Sequence, residues 1–300
     1  MKTGLLLQRI TFFFFGLAVV SASVWASEPL GIFVSILPQK QIVERIGGDA
    51  VKVDVLVLPG QSPATYDPTP QQMVALAKSQ VYFRIGAPFE KTWIPKIQQA
   101  HPNLKMVDTR QGINLQPITR HDHSHAGPLK TGAPATAAVQ LDPHIWTSPP
   151  LAKQQAATIR DVLVAKRPAL RARFEAGYAR YAAELDALDA ELRQRLSGKA
   201  QRRFMVFHPA WGYFADAYGL QQIPIESEGK EPSPKALARI IDRAKAEGIR
   251  VIFVQKQFSR TAAEQVARAI GGEVVAIDPL AEDFIGNMRD VGKVLVRGLR

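Results

Sequence analysis

The sequence predicts an α/β protein of two similar lobes, each a small, mostly parallel sheet with flanking helices, joined by one long rigid linking helix. Short apolar runs of strand length alternate with helical patterns in both halves of the chain, as they do in βα units around a parallel sheet. Between the halves, apolar residues recur every three or four positions, which predicts one long amphipathic helix. About 270 residues follow an N-terminal export signal, a length that favours two domains.

Residues 1–26 predict a cleavable secretory signal peptide, which we exclude from the fold. Lys2 and Arg9 precede an apolar run over residues 10–20 that is too short to span a bilayer comfortably, and small residues suit cleavage after Ala26. An uncleaved membrane anchor is the alternative. The chain contains no cysteine, so it lacks the lipidated residue that tethers some exported proteins, and we expect an unanchored periplasmic protein.

The first lobe is predicted over residues 27–167. Its strands are expected at 31–37, 51–58 and 81–85, and its helices at 39–46, 70–79 and 149–166. The segment 116–140 has little apolar periodicity and is predicted to be a mobile surface loop. It carries His121, His123 and His125, which either bind a metal loosely or belong to a solvated polar loop without a defined site.

The linking helix is predicted over residues 168–198. Pro168 suits the first helical position, where its missing N–H leaves no hydrogen bond unmade, and Gly198 suits the end. One apolar stripe covers about 30 residues, or ~45 Å of helix, which is long enough to run along both lobes. The stripe consists of Leu170, Phe174, Tyr178, Tyr181, Leu185, Leu188, Leu192 and Leu196. A coiled-coil dimer is the alternative, but flanking repeats are lacking and we expect a monomer.

The second lobe is predicted over residues 199–300. Its strands are expected at 203–207, 222–225, 251–254 and 274–277, and its helices at 209–218, 233–247, 261–270 and 281–299. His208 directly follows one predicted strand, and Asp278 directly follows another. Open α/β sheets bind their ligands at the carboxyl ends of parallel strands, so these two side chains are candidates for a binding site.

The basic composition does not indicate nucleic-acid binding. The net charge is +11, or +9 without Lys2 and Arg9, since 36 basic residues then stand against 27 acidic ones. The cations are dispersed, many beside Glu or Asp on predicted helices, and no basic run is interleaved with aromatic residues. We therefore attribute the charge to solubility and to weak attraction for anionic surfaces.

Three well-separated segments each place one metal-binding side chain beside a proline. The segments are 142–146 (DPHIW), 207–212 (FHPAWG) and 277–280 (IDPL), and they contribute His144, His208 and Asp278. Two imidazoles and one carboxylate suit Zn²⁺ or Mn²⁺. The donors are separated by 64 and 70 residues, so a site built from them requires the whole fold and is expected between the two lobes.

With these segments in place, the chain resembles the zinc- and manganese-binding solute receptors of bacterial ABC importers, known as cluster A-I, over essentially its whole mature length. The matching segments are 59–70, 142–146, 207–213, 226–233, 257–259 and 277–280. The resemblance implies two lobes joined by a rigid helix, a metal in the cleft between them, and no enzymatic activity. It also implies a receptor that delivers its ion to a permease in the inner membrane. The receptor is expected to be of the zinc type, because His208 stands where manganese receptors usually have glutamate.

One position departs from that family. The first of its ligand loops normally has a histidine directly after the proline that corresponds to Pro63, and this chain has Ala64 there. The three ligands named above carry over, and the first one does not. We favour water in its place, followed by the histidines of the 116–140 loop; Tyr66 or Asp67 can approach if the first loop shifts.

Two other interpretations remain open. Three protein ligands with an open coordination position are also the arrangement of catalytic zinc, with Glu228 or Glu231 as a general base. The sequence has no His-Glu-x-x-His motif to support a hydrolase. The third interpretation keeps the fold and replaces the importer role with that of a metal chaperone, a metal-dependent adhesin or a degenerate receptor.

Overall fold

The computed structural model describes residues 28–118, 141–226 and 230–299. The predicted signal peptide, the histidines at positions 121, 123 and 125, and Glu228 lie outside the described residues. Within the described ranges, no helix is both long and apolar enough to cross a membrane.

A parallel sheet of four strands forms the first lobe, in the order β2-β1-β3-β4. Its strands are β1 (Leu30–Val34), β2 (Val51–Val55), β3 (Val81–Arg84) and β4 (Lys105–Asp108), and its helices are α1 (Leu37–Gly47), α2 (Pro70–Ala77), α3 (Pro88–Ala100) and α4 (Pro149–Lys166). The central strands β1 and β3 are buried along nearly their whole length, as expected of a parallel sheet. Helix α2 begins with a capping box formed by Thr69 and Gln72.

The sequence patterns did not predict α3 and β4. Pro95 lies inside α3, and proline interrupts the helical pattern by which helices are recognised. Strand β4 has four residues, of which Val107 is the buried one, so it lacks the apolar run of a central strand. The first lobe therefore has one strand and one helix more than the sequence indicated.

The second lobe repeats this arrangement, which confirms the prediction of two similar lobes. Its sheet is also parallel, in the order β6-β5-β7-β8. Its strands are β5 (Arg203–Val206), β6 (Gln221–Pro224), β7 (Val251–Gln255) and β8 (Glu273–Ile277), and its helices are α6 (Gly212–Ala217), α7 (Pro234–Ala246), α8 (Thr261–Ile270) and α9 (Phe284–Gly298). The helix expected from residue 209 begins only at Gly212, because a turn in which the Ala210 N–H donates to the His208 carbonyl at 2.8 Å precedes it.

One helix, α5 (Arg171–Leu196), runs along both lobes, as predicted for the linking helix. It has 26 residues, or about 39 Å of length, and a 3-10 turn over Pro168–Leu170 precedes it. It packs against α1 and α4 of the first lobe and against α9 of the second. Its buried residues include Phe174, Tyr181, Leu185, Leu188, Leu192 and Leu196. They belong to one apolar cluster that draws residues from both sheets, so the helix ties the lobes together.

Gly177 permits a close approach of α5 to the first lobe. A Cβ atom at this position would lie 2.4 Å from the carbonyl oxygen of Ile46 in α1, well inside van der Waals contact. The obstructing atom belongs to the main chain, so it cannot rotate away. The side chain of residue 177 is thus restricted to a hydrogen atom by the packing of the two helices.

We expect Gly177→Ala to lower the free energy of unfolding by about 1–3 kcal/mol, because overlap with the main chain outweighs a gain in helix propensity of ~1 kcal/mol. Gly292→Ala in α9 is the matched control, since its added Cβ meets only the end of the Leu192 side chain within 3 Å. Chemical denaturation of the two variants and the parent measures the difference. Equal stability of the two variants would show that α1 and α5 are not packed this closely.

Candidate metal centre

The first candidate ligand, His144, is oriented by its own segment of chain. The Asp142 N–H donates to the Gln116 carbonyl at 2.8 Å, and an antiparallel bridge joins Pro117 to Leu141. The Asp142 carboxylate is 2% exposed, and its Oδ1 atom accepts the His144 main-chain N–H at 2.9 Å. The same oxygen lies 2.6 Å from Nδ1 of the His144 ring. The position and the orientation of this imidazole are therefore fixed locally.

The second candidate ligand, His208, lies just after β5, at the carboxyl end of a central strand. Gln255 at the end of β7 accepts the His208 N–H at 3.2 Å and donates to the His208 carbonyl at 2.6 Å. The ring Nδ1 lies 2.9 Å from Oε1 of Glu226, which follows β6 and is 3% exposed. The Phe258 ring stacks on the imidazole with a centroid separation of 4.8 Å. Neighbouring strands of the second sheet thus hold this ring.

The structure brings these two imidazoles together from opposite lobes. His144 Nε2 and His208 Nε2 lie 3.3 Å apart. Two imidazole ligands of a tetrahedral zinc, each bonded at about 2.0–2.1 Å, have their nitrogen atoms about 3.3–3.4 Å apart. The separation of the two free ring nitrogens is therefore that of two ligands on one ion.

The hydrogen bonds determine the tautomer of both rings. An ionised carboxylate only accepts hydrogen bonds, so each Nδ1 carries a proton, and in the neutral form of each ring Nε2 presents the lone pair. Burial lowers the pKa of His208 despite the opposing bond to Glu226, and the nearby His144 lowers it further. Two neutral rings whose lone pairs face each other repel, and a cation between them removes the repulsion. The arrangement is therefore suited to bind a metal ion.

Glu226 has a second property that is typical of a metal centre. Its Oε2 atom is buried and has no hydrogen-bond partner among the described residues. A buried carboxylate with one unpaired oxygen is unfavourable unless positive charge lies nearby. A divalent ion on the far side of the His208 ring would supply that charge, in the carboxylate–histidine–metal arrangement that is common in proteins.

The third candidate, Asp278, lies just after β8 and has other partners in this structure. Its Oδ1 atom accepts hydrogen bonds from the Leu280 N–H at 2.9 Å and from Gln257 Nε2 at 3.1 Å, and its Oδ2 atom lies 3.8 Å from the Lys256 ammonium group. In the part of the chain that the structure describes, no group of three or more His, Asp or Glu side chains is arranged to hold an ion. Ligation by Asp278 thus stays a prediction.

In the loop that contains Ala64, the two alternative donors already have partners. Tyr66 is buried and donates its hydroxyl group to the Gln72 side chain. Asp67 accepts a hydrogen bond from Trp93 Nε1 at 2.8 Å. Ligation by a Tyr66 phenolate requires its hydrogen bond to Gln72 to break, and Asp67 retains its bond to Trp93 only if it ligates through its other oxygen.

The two carboxylates behind the imidazoles were not among the candidates that the sequence suggested. Asp142 stands two residues before His144, within the same motif. Glu226 follows β6, the strand that pairs with β5 and hence lies next to His208. Since consecutive strands of a βαβ unit usually lie side by side, an acidic residue at the end of β6 was a usable signal for this position.

A family model described as ZnuA, zinc-uptake complex component A, periplasmic, matches residues 32–298. The high-affinity zinc uptake system protein ZnuA of Bacillus subtilis is 26% identical over 257 residues, which cover 84% of this chain and 79% of that protein. The zinc-binding lipoprotein AdcA of Streptococcus pneumoniae is 27% identical over 288 residues, which cover 93% of this chain and 55% of the longer relative.

Solved structures have the same fold. A crystal structure of ZnuA is 42% identical in sequence, with a TM-score of 0.83 and coverage of 91% of this chain and 100% of that chain. A deletion mutant of ZnuA with zinc bound is 41% identical, with a TM-score of 0.81 and coverage of 90% and 98%. The laminin-binding protein Lmb of Streptococcus agalactiae has a TM-score of 0.77 at 21% identity, with coverage of 90% and 100%, and shows the shared fold alone.

We expect Glu226→Gln to lower the affinity for Zn²⁺ by about 10- to 100-fold, the typical effect of losing a carboxylate behind a metal-binding histidine. The glutamine keeps a hydrogen-bond acceptor for His208 and removes the buried charge, so the thermal stability of the zinc-free protein should not fall. Competition titration with a zinc chelator and thermal unfolding measure the two quantities.

Asp186→Asn is the control for that experiment, because the Asp186 carboxylate pairs with Lys153 at an exposed position. It should leave the zinc affinity unchanged. A Glu226→Gln protein that loses stability and still binds zinc with the parent's affinity would show that Glu226 is structural only.

Proposed function

This chain belongs to the family of the periplasmic zinc-uptake complex component A, and we propose that it is an extracytoplasmic receptor that binds Zn²⁺ between its lobes and delivers it to an ABC permease. The observation that carries the proposal is the pair of imidazoles from opposite lobes, whose Nε2 atoms lie 3.3 Å apart. The names of the relatives, which refer to zinc uptake and zinc binding, support zinc as the cargo.

We propose His144, His208 and Asp278 as the zinc ligands. The Asp278 carboxylate joins the two histidines by leaving the half-buried Gln257 and the exposed Lys256. Water completes the coordination, with the histidines of the segment 116–140 as the alternative. Imidazole donors and the order of divalent-metal affinities favour Zn²⁺ over Mn²⁺.

The proposed role requires no chemistry on the ion. The family is one of solute-binding proteins that take part in transport, and the likeness to the adhesin Lmb is one of fold alone. We propose that a signal peptide over residues 1–26 exports the chain to the periplasm, where it acts as a monomer. The relative AdcA is a lipoprotein, whereas this chain has no cysteine to which a lipid could be attached.

Removal of either imidazole tests the site. We expect His144→Ala and His208→Ala each to lower the zinc affinity by more than about 100-fold, because a ligand contributes more than the residue behind it. Competition titration and the zinc-induced rise in unfolding temperature measure the loss. His101→Ala, which changes a histidine at the end of α3, is the control and should bind zinc like the parent. A His208→Ala protein that retains the parent's affinity would contradict the proposed site.

Delivery to a permease has a separate test. In a bacterium that lacks its own zinc receptor, the parent chain should restore growth under zinc limitation, and His208→Ala should not. The same chain should give no rescue in a strain that lacks the permease. Rescue without the permease would show that the protein handles zinc in some other way.

A histidine at position 64 tests whether the first loop faces the pair. We expect Ala64→His to raise the zinc affinity by at least about tenfold, because it supplies a fourth protein ligand. Thr65→His places an imidazole at the next, exposed position and is the control. Equal affinities of Ala64→His, the control and the parent would show that this loop points away from the metal.

A further inference from the structure

Trp146 forms a direct hydrogen bond between the segments that carry two of the proposed ligands. Its indole Nε1–H donates to the carbonyl oxygen of Pro279 at 2.7 Å. Trp146 is two residues from His144, and Pro279 is the residue after Asp278. The indole is 1% exposed, so water does not compete for this bond.

Apolar packing also joins these two segments. Leu280 belongs to the second lobe by sequence, yet it is 8% exposed and forms part of the apolar cluster of the first lobe. That cluster also contains Trp146 itself, together with Ile145 from the same turn. The main chain after Asp278 therefore contacts the first lobe through the hydrogen bond from Trp146 and through the buried side chain of Leu280.

Asp278 itself, in contrast to the chain that follows it, has several partners in the second lobe. Its carbonyl oxygen accepts Asn287 Nδ2 at 2.6 Å, and its carboxylate contacts Gln257 and Lys256 of the second lobe as well as the Leu280 N–H of its own turn. Asp278 thus lies at a boundary: its long-range partners belong to the second lobe, and the chain that follows it contacts the first lobe.

We propose that Trp146 is a positioning residue for zinc binding: its indole N–H holds the main chain beside Asp278 at a fixed place relative to His144, and so determines how readily the carboxylate joins the imidazole pair. The inference rests on the proposed function, because it requires Asp278 to be a ligand. The role of Trp146 is to act through Asp278, and it does not touch the ion.

The alternative is that Trp146 only fills the core. A second buried tryptophan, Trp211, allows the two roles to be compared in the same protein. Trp211 is 0% exposed, and its Nε1 atom has no hydrogen-bond partner among the described residues. A change from tryptophan to phenylalanine removes similar buried volume at both positions. At position 146 it also removes a hydrogen bond between the lobes.

The experiment compares Trp146→Phe, Trp211→Phe, Asp278→Asn and the double variant Trp146→Phe/Asp278→Asn, all in the full-length protein. Competition titration gives the zinc affinity, and transfer to a chelator in stopped flow gives the rate of zinc release. Thermal unfolding without zinc gives the stability of each protein. Because the fourth variant combines two of the others, it measures whether Trp146 acts through Asp278.

We expect Trp146→Phe to weaken zinc binding by about 3- to 10-fold, the effect of one hydrogen bond, with most of the change in faster release. Trp211→Phe should bind zinc like the parent and lose no more stability in the zinc-free state than Trp146→Phe, because it removes similar volume and no hydrogen bond between described residues. In the Asp278→Asn background, the additional change at position 146 should alter the affinity by less than about twofold, because the group that it positions no longer ligates as a carboxylate.

Two results would overturn the inference alone: a parent-like affinity of Trp146→Phe, or an equal loss with and without the Asp278 carboxylate. A parent-like affinity of Asp278→Asn would overturn the ligand assignment and this inference with it. If Trp146→Phe does not fold, incorporation of β-3-benzothienylalanine at position 146 keeps the shape of the indole and removes only its N–H. The same outcomes then apply to that protein.

Discussion

Two imidazoles, those of His144 and His208, meet across the boundary between the lobes. Their Nε2 atoms lie 3.3 Å apart only because the lobes are fixed relative to each other. The Tyr213 hydroxyl accepts the Gln116 N–H and donates to the Asp142 carbonyl, which joins α6 to the segment before His144. Together with α5, this contact holds the lobes in the one arrangement that brings the ring nitrogens to metal-binding distance.

Much of the fold was predictable because it follows from local patterns. Alternating apolar runs and helical stripes indicated the two parallel sheets and the long helix, and the position of His208 after a strand indicated a binding site. The exceptions have physical causes. Pro95 disrupts the pattern of α3, and Pro209, the first residue of the helix predicted over 209–218, lies in a turn that delays α6 to Gly212.

The relative placement of the candidate ligands was less predictable, because it depends on contacts between residues far apart in sequence. No local pattern indicates that His144 and His208 meet, or that Asp278 prefers Gln257 and Lys256 in this structure. Burial of Glu226 behind the His208 ring is also a consequence of how β5 and β6 pair. The sequence therefore indicated candidate side chains, and the tertiary packing determined which of them are already in contact.

A receptor of the kind proposed must both bind an ion and release it, and the carboxylates near the two histidines suit these two tasks differently. Asp142 and Glu226 contact the imidazoles, so they would add negative charge near the ion without occupying coordination positions. The proposed ligand Asp278 is different, because it has alternative partners in Gln257 and Lys256. In the proposed site, exchange of this one carboxylate between the ion and those partners would change the coordination while the histidine pair stays in place. A site with one exchangeable anionic ligand can therefore lose zinc without a rearrangement of either sheet.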